Sequence, residues 1–152
     1  MSKVQLLYKN KNILVLDDNE LTRNHLKRKF EDLGAVVYSS GHLSKGISVL
    51  YGLVNQGDPP VLLIADTQLP GCFGLQVLQT LKDTLGSTVV PIIVASHGLN
   101  HLAVRRMVLF NVIGYVPKPT YTDELFNFAV ELFEEYQNLK GAAVGTEISR
   151  AG

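Results

Sequence analysis

Asp17 and Asp18 follow an apolar run at 13–16 (ILVL), Asp66 follows one at 61–65 (VLLIA), and Ser96 follows one at 91–95 (PIIVA). Lys118 stands two residues past a fifth such run at 112–116 (VIGYV). Brought to one rim, these residues offer three carboxylates, a hydroxyl and an ammonium. Three carboxylates within a few ångströms repel one another, and one pKa must rise unless a cation intervenes. A hard divalent ion is the natural remedy. Mg²⁺ takes oxygen ligands in octahedral geometry, usually one or two carboxylates with waters and a phosphate oxygen, and suits this set better than Zn²⁺. Lys118 then balances the charge that remains. A carboxylate flanked by a metal and a lysine is equipped to accept a phosphoryl group, because that transfer depends mainly on positioning and charge neutralisation. Asp66 is the candidate acceptor.

The elements that must position these residues are legible as an alternation. Runs of strand length at 13–16, 35–38, 61–65, 91–95 and 112–116 are rich in branched residues and mostly continuous, as expected of strands covered on both faces. Between them, apolar residues recur at helical spacing: Leu26, Phe30 and Leu33; Leu43, Ile47, Leu50 and Val54; Leu78, Leu81 and Leu85; Ala103, Met107 and Phe110. Leu125, Phe128, Ala129, Leu132, Phe133 and Tyr136 make a fifth stripe. Five strands alternating with five helices predict an α/β fold, an open doubly wound parallel sheet with right-handed crossovers. In such a sheet, ligands bind beyond the carboxyl ends of the strands, where the strand order reverses. Gly34, Gly57 to Pro60, Pro70-Gly71, Gly86 and Gly98 fall where this reading needs turns.

The chain has 152 residues, enough for one domain with a real core. Fourteen Lys and Arg balance fourteen Asp and Glu, so there is no basic stripe for nucleic acid. The single Cys72 excludes a disulfide or zinc-thiolate scaffold and suits a reducing cytosol. No apolar run reaches membrane-span length and the start lacks the apolar core of a signal peptide, so a cytoplasmic protein with no membrane partner is expected. Residues 1–10 read as an N-terminal extension, 11–137 as the domain, and 138–152 as a flexible tail rich in small residues from Gly141 onward. The apolar stretch Val4 to Tyr8 packs either on the domain or on a second copy, which leaves a homodimer open.

Four ordered pieces, LVLDDNE at 14–20, LLIADTQLPG at 62–71, IIVAS at 92–96 and GYVPKP at 114–119, together resemble the receiver domain of two-component response regulators. The resemblance spans residues 11 to about 137. It implies a flavodoxin-like (βα)5 sheet in the order 2-1-3-4-5 and phosphorylation of Asp66. It implies Mg²⁺ held by Asp18, Asp66 and the backbone carbonyl of Gln68, with Asp17 acting largely through water. Lys118 matches the lysine that pairs with the acceptor and later with the phosphoryl group, and the bond to Pro119 matches the family's cis peptide. Ser96 and Tyr115 match a switch pair that remodels the surface formed by the fourth helix, fifth strand and fifth helix. The implied partners are a sensor histidine kinase or histidine phosphotransfer protein as donor, and a downstream target protein. On this reading the protein is no enzyme beyond catalysing its own phosphorylation and dephosphorylation.

Two positions depart from the family pattern. His97 replaces the usual small residue after Ser96; its imidazole either crowds the phosphoryl site and modulates the lifetime of the phosphorylated form, or is a solvated loop side chain. Phe73 replaces an Asp often found before the glycine that opens the third helix, so a side-chain cap worth roughly 1 kcal/mol is lost. Cys72 and Phe73 then serve a partner contact or plain loop packing. His97 and His101 are spaced i, i+4, but a zinc site wants three or four ligands and no third is in view. Arg23, Lys27, Arg28 and Lys29, like Arg105 and Arg106, read as solvated faces or as docking charges. The alternative function is a receiver-like interaction module that is never phosphorylated. A phosphohydrolase is disfavoured because Gln68 stands where such enzymes commonly carry a second carboxylate. A flavodoxin-like cofactor binder lacks a phosphate loop after the first strand.

Overall fold

The computed structural model describes the backbone of residues 1–151 and the side chains of residues 1–141. In chain order the elements are α1 (Lys3–Tyr8), β1 (Asn12–Leu16), α2 (Glu20–Asp32), β2 (Val36–Ser40), α3 (Leu43–Asn55), β3 (Leu62–Ala65), β4 (Gln68–Leu69) and β5 (Cys72–Phe73). There follow α4 (Leu75–Leu85), β6 (Ile92–Ser96), α5 (His101–Arg106), a 3-10 turn (Met107–Phe110), β7 (Val112–Pro117) and α6 (Thr122–Ala151). Five strands form one parallel sheet in the order β2-β1-β3-β6-β7. Numbering only these five, the order is 2-1-3-4-5, as expected. The reversal lies between β1 and β3, so the ends of those two strands open the crevice.

Period-2 alternation divides the strand residues between two cores. Leu14, Leu16, Leu63, Ala65, Ile92 and Val94 face α3 and α4 on one side. Ile13, Val15, Leu62, Ile64, Ile93 and Ala95 face α2 and α6 on the other. Both sets are buried, which explains why the strands read as continuous apolar runs rather than alternating ones. Each large side chain removed from water contributes on the order of 1.5–3 kcal/mol, and the ends of the central strands inherit that rigidity.

Several details differ from the sequence reading. Strand limits move by a residue or two, most at β2, because backbone pairing extends beyond the apolar run to Ser40. Residues 4–8 lie in a sixth α-helix, α1, started by a capping box between Ser2 and Gln5. It packs on its own domain: Tyr8 is fully buried against Phe30 and Phe133, with ring centroids 5.5 and 5.2 Å away. The stripe from Ala103 to Phe110 is not one helix. It tightens into the 3-10 turn after Arg106 and ends on Asn111, whose φ of 58° is left-handed. The antiparallel β4-β5 hairpin about Pro70-Gly71 was not expected. The backbone of the last helix continues past residue 137 to Ala151, and the tail expected at 138–152 lies mostly outside the residues described with side chains. Among the described residues no helix is long and apolar enough to cross a membrane.

Candidate functional site

β1 and β3 end side by side, and their registers place Leu16 opposite Ala65, so the residues that follow each strand emerge together. Asp17, Asp18 and Asp66 bring carboxylate oxygens within 4.8 Å of one another. Asp17 and Asp66 are each 3% exposed, whereas Asp18 lies open to solvent. Asp17 is fixed by its own turn: Asn19 N donates to its Oδ1 at 2.9 Å, and Asn19 then caps α2 by accepting from Thr22 N. Arg23 Nη1 donates to the Asp17 carbonyl at 2.7 Å, so this member of the basic run is a brace for the site rather than a solvated charge. Lys29 is likewise engaged, 5.3 Å from the centre of the Phe126 ring and 4.0 Å from the Asp123 carboxylate.

β7 delivers Lys118 to the same notch. Its Nζ donates to Asp17 Oδ2 at 2.6 Å and to Asp66 Oδ2 at 2.9 Å, and its side chain is only 12% exposed. The Lys118–Pro119 peptide is cis. Burial pulls the lysine's pKa down, but the hydrogen bonds and charges of both aspartates outweigh it and hold the pKa above its usual value. The Asp17 pKa is raised as well, because burial outweighs the Lys118 hydrogen bond, the Asn19 amide and the lysine's charge. The two directions are compatible. One ammonium shared by two buried carboxylates is strongly held, while neither acid has a counter-charge to itself.

Ser96, fully buried at the end of β6, donates from Oγ to Asp66 Oδ1 at 3.1 Å. Gln68 N donates to the same oxygen at 2.8 Å. Tyr115 is half-buried on β7, its hydroxyl 3.5 Å from the Ser96 carbonyl. Gln68 itself is exposed, and its Nε2 donates to the His97 carbonyl at 2.8 Å, bridging the loops after β3 and β6. Above the acids opens a pocket of about 270 Å³ whose walls include Asp18, Gln68, His97, Lys118 and Thr120.

The structure thus brings Asp17, Asp18, Asp66, Ser96 and Lys118 together, with Gln68, His97 and Pro119 on the rim and Tyr115 behind Ser96. His97 precedes α5 while His101 opens it, so their spacing does not put them on one helical face. Phe73 is 66% exposed, and α4 starts on Gly74 with no side-chain cap, as the missing Asp implies. Two contributions escaped the sequence reading. One is the Arg23 brace. The other is Thr67, fully buried, with Oγ1 2.7 Å from Ser96 Oγ. Its only signal was a hydroxyl next to Asp66 at the end of an apolar run, which does not say whether the side chain turns inward.

The donor set suits a hard divalent cation. Three carboxylates face a single ammonium, Asp18 makes no ion pair among the described residues, and all the available ligand atoms are oxygens. A carboxylate held between a lysine and a serine hydroxyl can also act as a nucleophile, with the lysine offsetting part of the product's charge.

The family model for the response regulator receiver domain matches residues 13–129. No curated protein matches the chain. Among solved structures it is similar to a CheY-like response regulator receiver domain protein from Methanospirillum hungatei JF-1, at 18% identity and a TM-score of 0.68, covering 86% of this chain and 98% of that one. It is similar to the non-phosphorylated HemR receiver domain from Leptospira biflexa, at 16% identity and a TM-score of 0.69, covering 82% and 94%. A third is a response regulator protein from Burkholderia pseudomallei, solved with a phosphorylated aspartic acid, a calcium ion and citrate. It is 20% identical with a TM-score of 0.64, and the match covers 88% of this chain and 75% of that one. At these identities the neighbours establish the fold.

Proposed function

The chain belongs to the family of response regulator receiver domains, and on that premise we propose that it takes a phosphoryl group onto Asp66 from a partner's phosphohistidine and relays it as a change of binding surface. The observation that carries this reading is the Asp66 carboxylate itself, 97% buried yet lining an open pocket, with Lys118 at 2.9 Å on one oxygen and Ser96 at 3.1 Å on the other. In the transfer, an Asp66 oxygen forms a bond to phosphorus as the donor's P–N bond breaks, and the imidazole leaves with the electron pair and is protonated by solvent. Loss of the group is attack by water on phosphorus, which releases inorganic phosphate and restores the carboxylate. These two steps are the only catalysis the site performs.

Asp18, Asp66 and the Gln68 carbonyl would hold Mg²⁺, with Asp17 acting through water. The ion supplies charge neutralisation for the transferring phosphoryl oxygens. Lys118 supplies the second positive charge. Ser96 has a proton to give to a phosphoryl oxygen, and Tyr115 sits directly behind it, so the pair forms the element whose two arrangements the new charge biases. Its output is the surface of α5, β7 and α6, read by a downstream target. Residues 11–137 act as the receiver, in the cytoplasm, where a histidine kinase or phosphotransfer protein presents its phosphohistidine. That the Burkholderia protein carries a phosphorylated aspartic acid and a metal ion supports the same chemistry here.

The test is incubation with Mg²⁺ and a small-molecule phosphodonor, followed by mass measurement. We expect an acid-stable, base-labile gain of one phosphoryl group that is lost in Asp66→Asn. An unmodified parent protein would favour the unphosphorylated interaction module.

A further inference from the structure

Thr67 and Ser96 are both fully buried, and their hydroxyl oxygens lie 2.7 Å apart. Each hydroxyl carries one proton, and an ionised carboxylate only accepts. Among the described residues, Ser96 is the one hydrogen-bond partner of the Thr67 hydroxyl. If Ser96 donated to Thr67, the proton of the fully buried threonine would be left unpaired, and Asp66 Oδ1 would lose a donor. Burying an unpaired polar group is costly. The His97 carbonyl lies farther from Ser96 Oγ, at 3.4 Å, so the arrangement that best satisfies these groups runs from Thr67 O–H to Ser96 Oγ, and from Ser96 O–H to the nearer Asp66 Oδ1. Thr67 is also β-branched and therefore stiff about χ1, which suits it to hold a neighbour in place.

We infer that Thr67 is a positioning residue that locks the Ser96 hydroxyl toward the acceptor carboxylate before any phosphoryl group arrives. The inference rests on Asp66 being the phosphoacceptor. It follows that the Ser96 rotamer is already restricted in the resting protein, so part of the ordering that a phosphoryl group would otherwise have to impose precedes it. The group on Asp66 then meets a hydroxyl already turned toward that residue, and less of its interaction with the Ser96–Tyr115 pair is spent on ordering Ser96.

The test uses the whole chain with Mg²⁺ and beryllofluoride as the phosphoryl mimic, read by amide NMR spectra. Thr67→Val should weaken beryllofluoride binding roughly three- to tenfold, the effect of losing one neutral hydrogen bond. Thr67→Ser should restore it to within about twofold. In a Ser96→Ala background Thr67→Val should change nothing further, because the interaction it removes is already gone. An equal loss in that background, or a serine variant as weak as the valine one, overturns the inference. A parent protein that binds no beryllofluoride defeats the receiver reading instead, and the lock is then judged without ligand. Three-bond couplings should show one Ser96 rotamer in the parent and averaging in Thr67→Val; averaging in the parent, or no change in the variant, sinks it. Thr67→Ala, which also lacks the hydroxyl, repeats each measurement if valine disturbs the amide spectrum.

Discussion

Lys118 Nζ lies closer to Asp17 Oδ2, at 2.6 Å, than to the proposed acceptor Asp66, at 2.9 Å. The lysine is therefore a shared counter-ion for two buried carboxylates. Removing one partner of a buried ion pair typically costs about 3–5 kcal/mol, because the remaining charge is stranded. Lys118→Met should thus lower unfolding stability by about 3 kcal/mol in urea melts without divalent cations. Mg²⁺ should recover a substantial part of that loss, more than it adds to the parent, since it supplies the missing positive charge to the same acids. A variant as stable as the parent, or one that Mg²⁺ stabilises no more than the parent, would contradict this.

Two glycines of α3 should respond to alanine in opposite directions. A methyl at Gly52 meets nothing within 4 Å, so Gly52→Ala gains helix propensity and should stabilise by up to about 1 kcal/mol. A methyl at Gly46 runs into one Cδ methyl of Leu16, a side chain that is fully buried. Overpacking of this kind costs about 1–3 kcal/mol and exceeds the propensity gain. Leu16 directly precedes Asp17, so Gly46→Ala should also weaken Mg²⁺ binding, while Gly52→Ala leaves it unchanged. Urea melts and a Mg²⁺ titration of both variants check the pair.

The rim of the sheet was legible because apolar runs announce strands covered on both faces, and Asp17, Asp66, Ser96 and Lys118 each follow one. Position after a strand suffices to place a residue on the rim. It does not say which partner a side chain chooses, and that is why the Lys118–Asp17 contact and the Thr67–Ser96 pair came only with coordinates. Arg23 illustrates the same limit. A cation on the first turns of a helix reads as solvated until the loop carrying Gly41 is seen to leave room for it, and a methyl at Gly41 would meet its guanidinium at 2.6 Å. The short α1 escaped because six residues give too few turns for a helical period to show.

Tyr8 is the clearest group for a pH-dependent test away from the site. Its hydroxyl is buried with no hydrogen-bond partner among the described residues. Burial, with a smaller push from Glu134, holds its pKa above the ordinary value near 10. The folded state therefore keeps the phenol protonated while the unfolded chain releases the proton above that pH. The resulting stability is complete below pH 10 and is lost as pH rises toward the folded pKa. Tyr8→Phe should remove this part of the alkaline loss. It should also stabilise the protein at neutral pH by about 1 kcal/mol, since an unpaired hydroxyl is no longer buried. Urea melts at pH 7 and from pH 9.5 to 11 read both effects, and a variant less stable at pH 7 with an unchanged alkaline slope refutes the assignment.

His97 is predicted to modulate the lifetime of the phosphorylated form. The residue lines the pocket above Asp66 together with Gln68 and Thr120, and the Gln68 amide ties its carbonyl in place. Water must reach phosphorus through that pocket. We expect the imidazole to narrow this approach and the Gln68 tether to keep the loop from swinging aside. His97→Ala should therefore shorten the half-life of the acyl phosphate by roughly two- to tenfold, equivalent to about 0.4–1.4 kcal/mol in the hydrolysis barrier. Its amide spectrum and Mg²⁺ affinity should stay unchanged, because among the described residues its side chain makes no hydrogen bond or ion pair with the acids. Gln68→Ala should move the half-life in the same direction by freeing the loop, and in the His97→Ala background it should add little, since the two act through one obstruction. The measurement is phosphate release after the phosphodonor is removed. An unaltered half-life in His97→Ala leaves the imidazole as a solvated loop side chain with no part in the site.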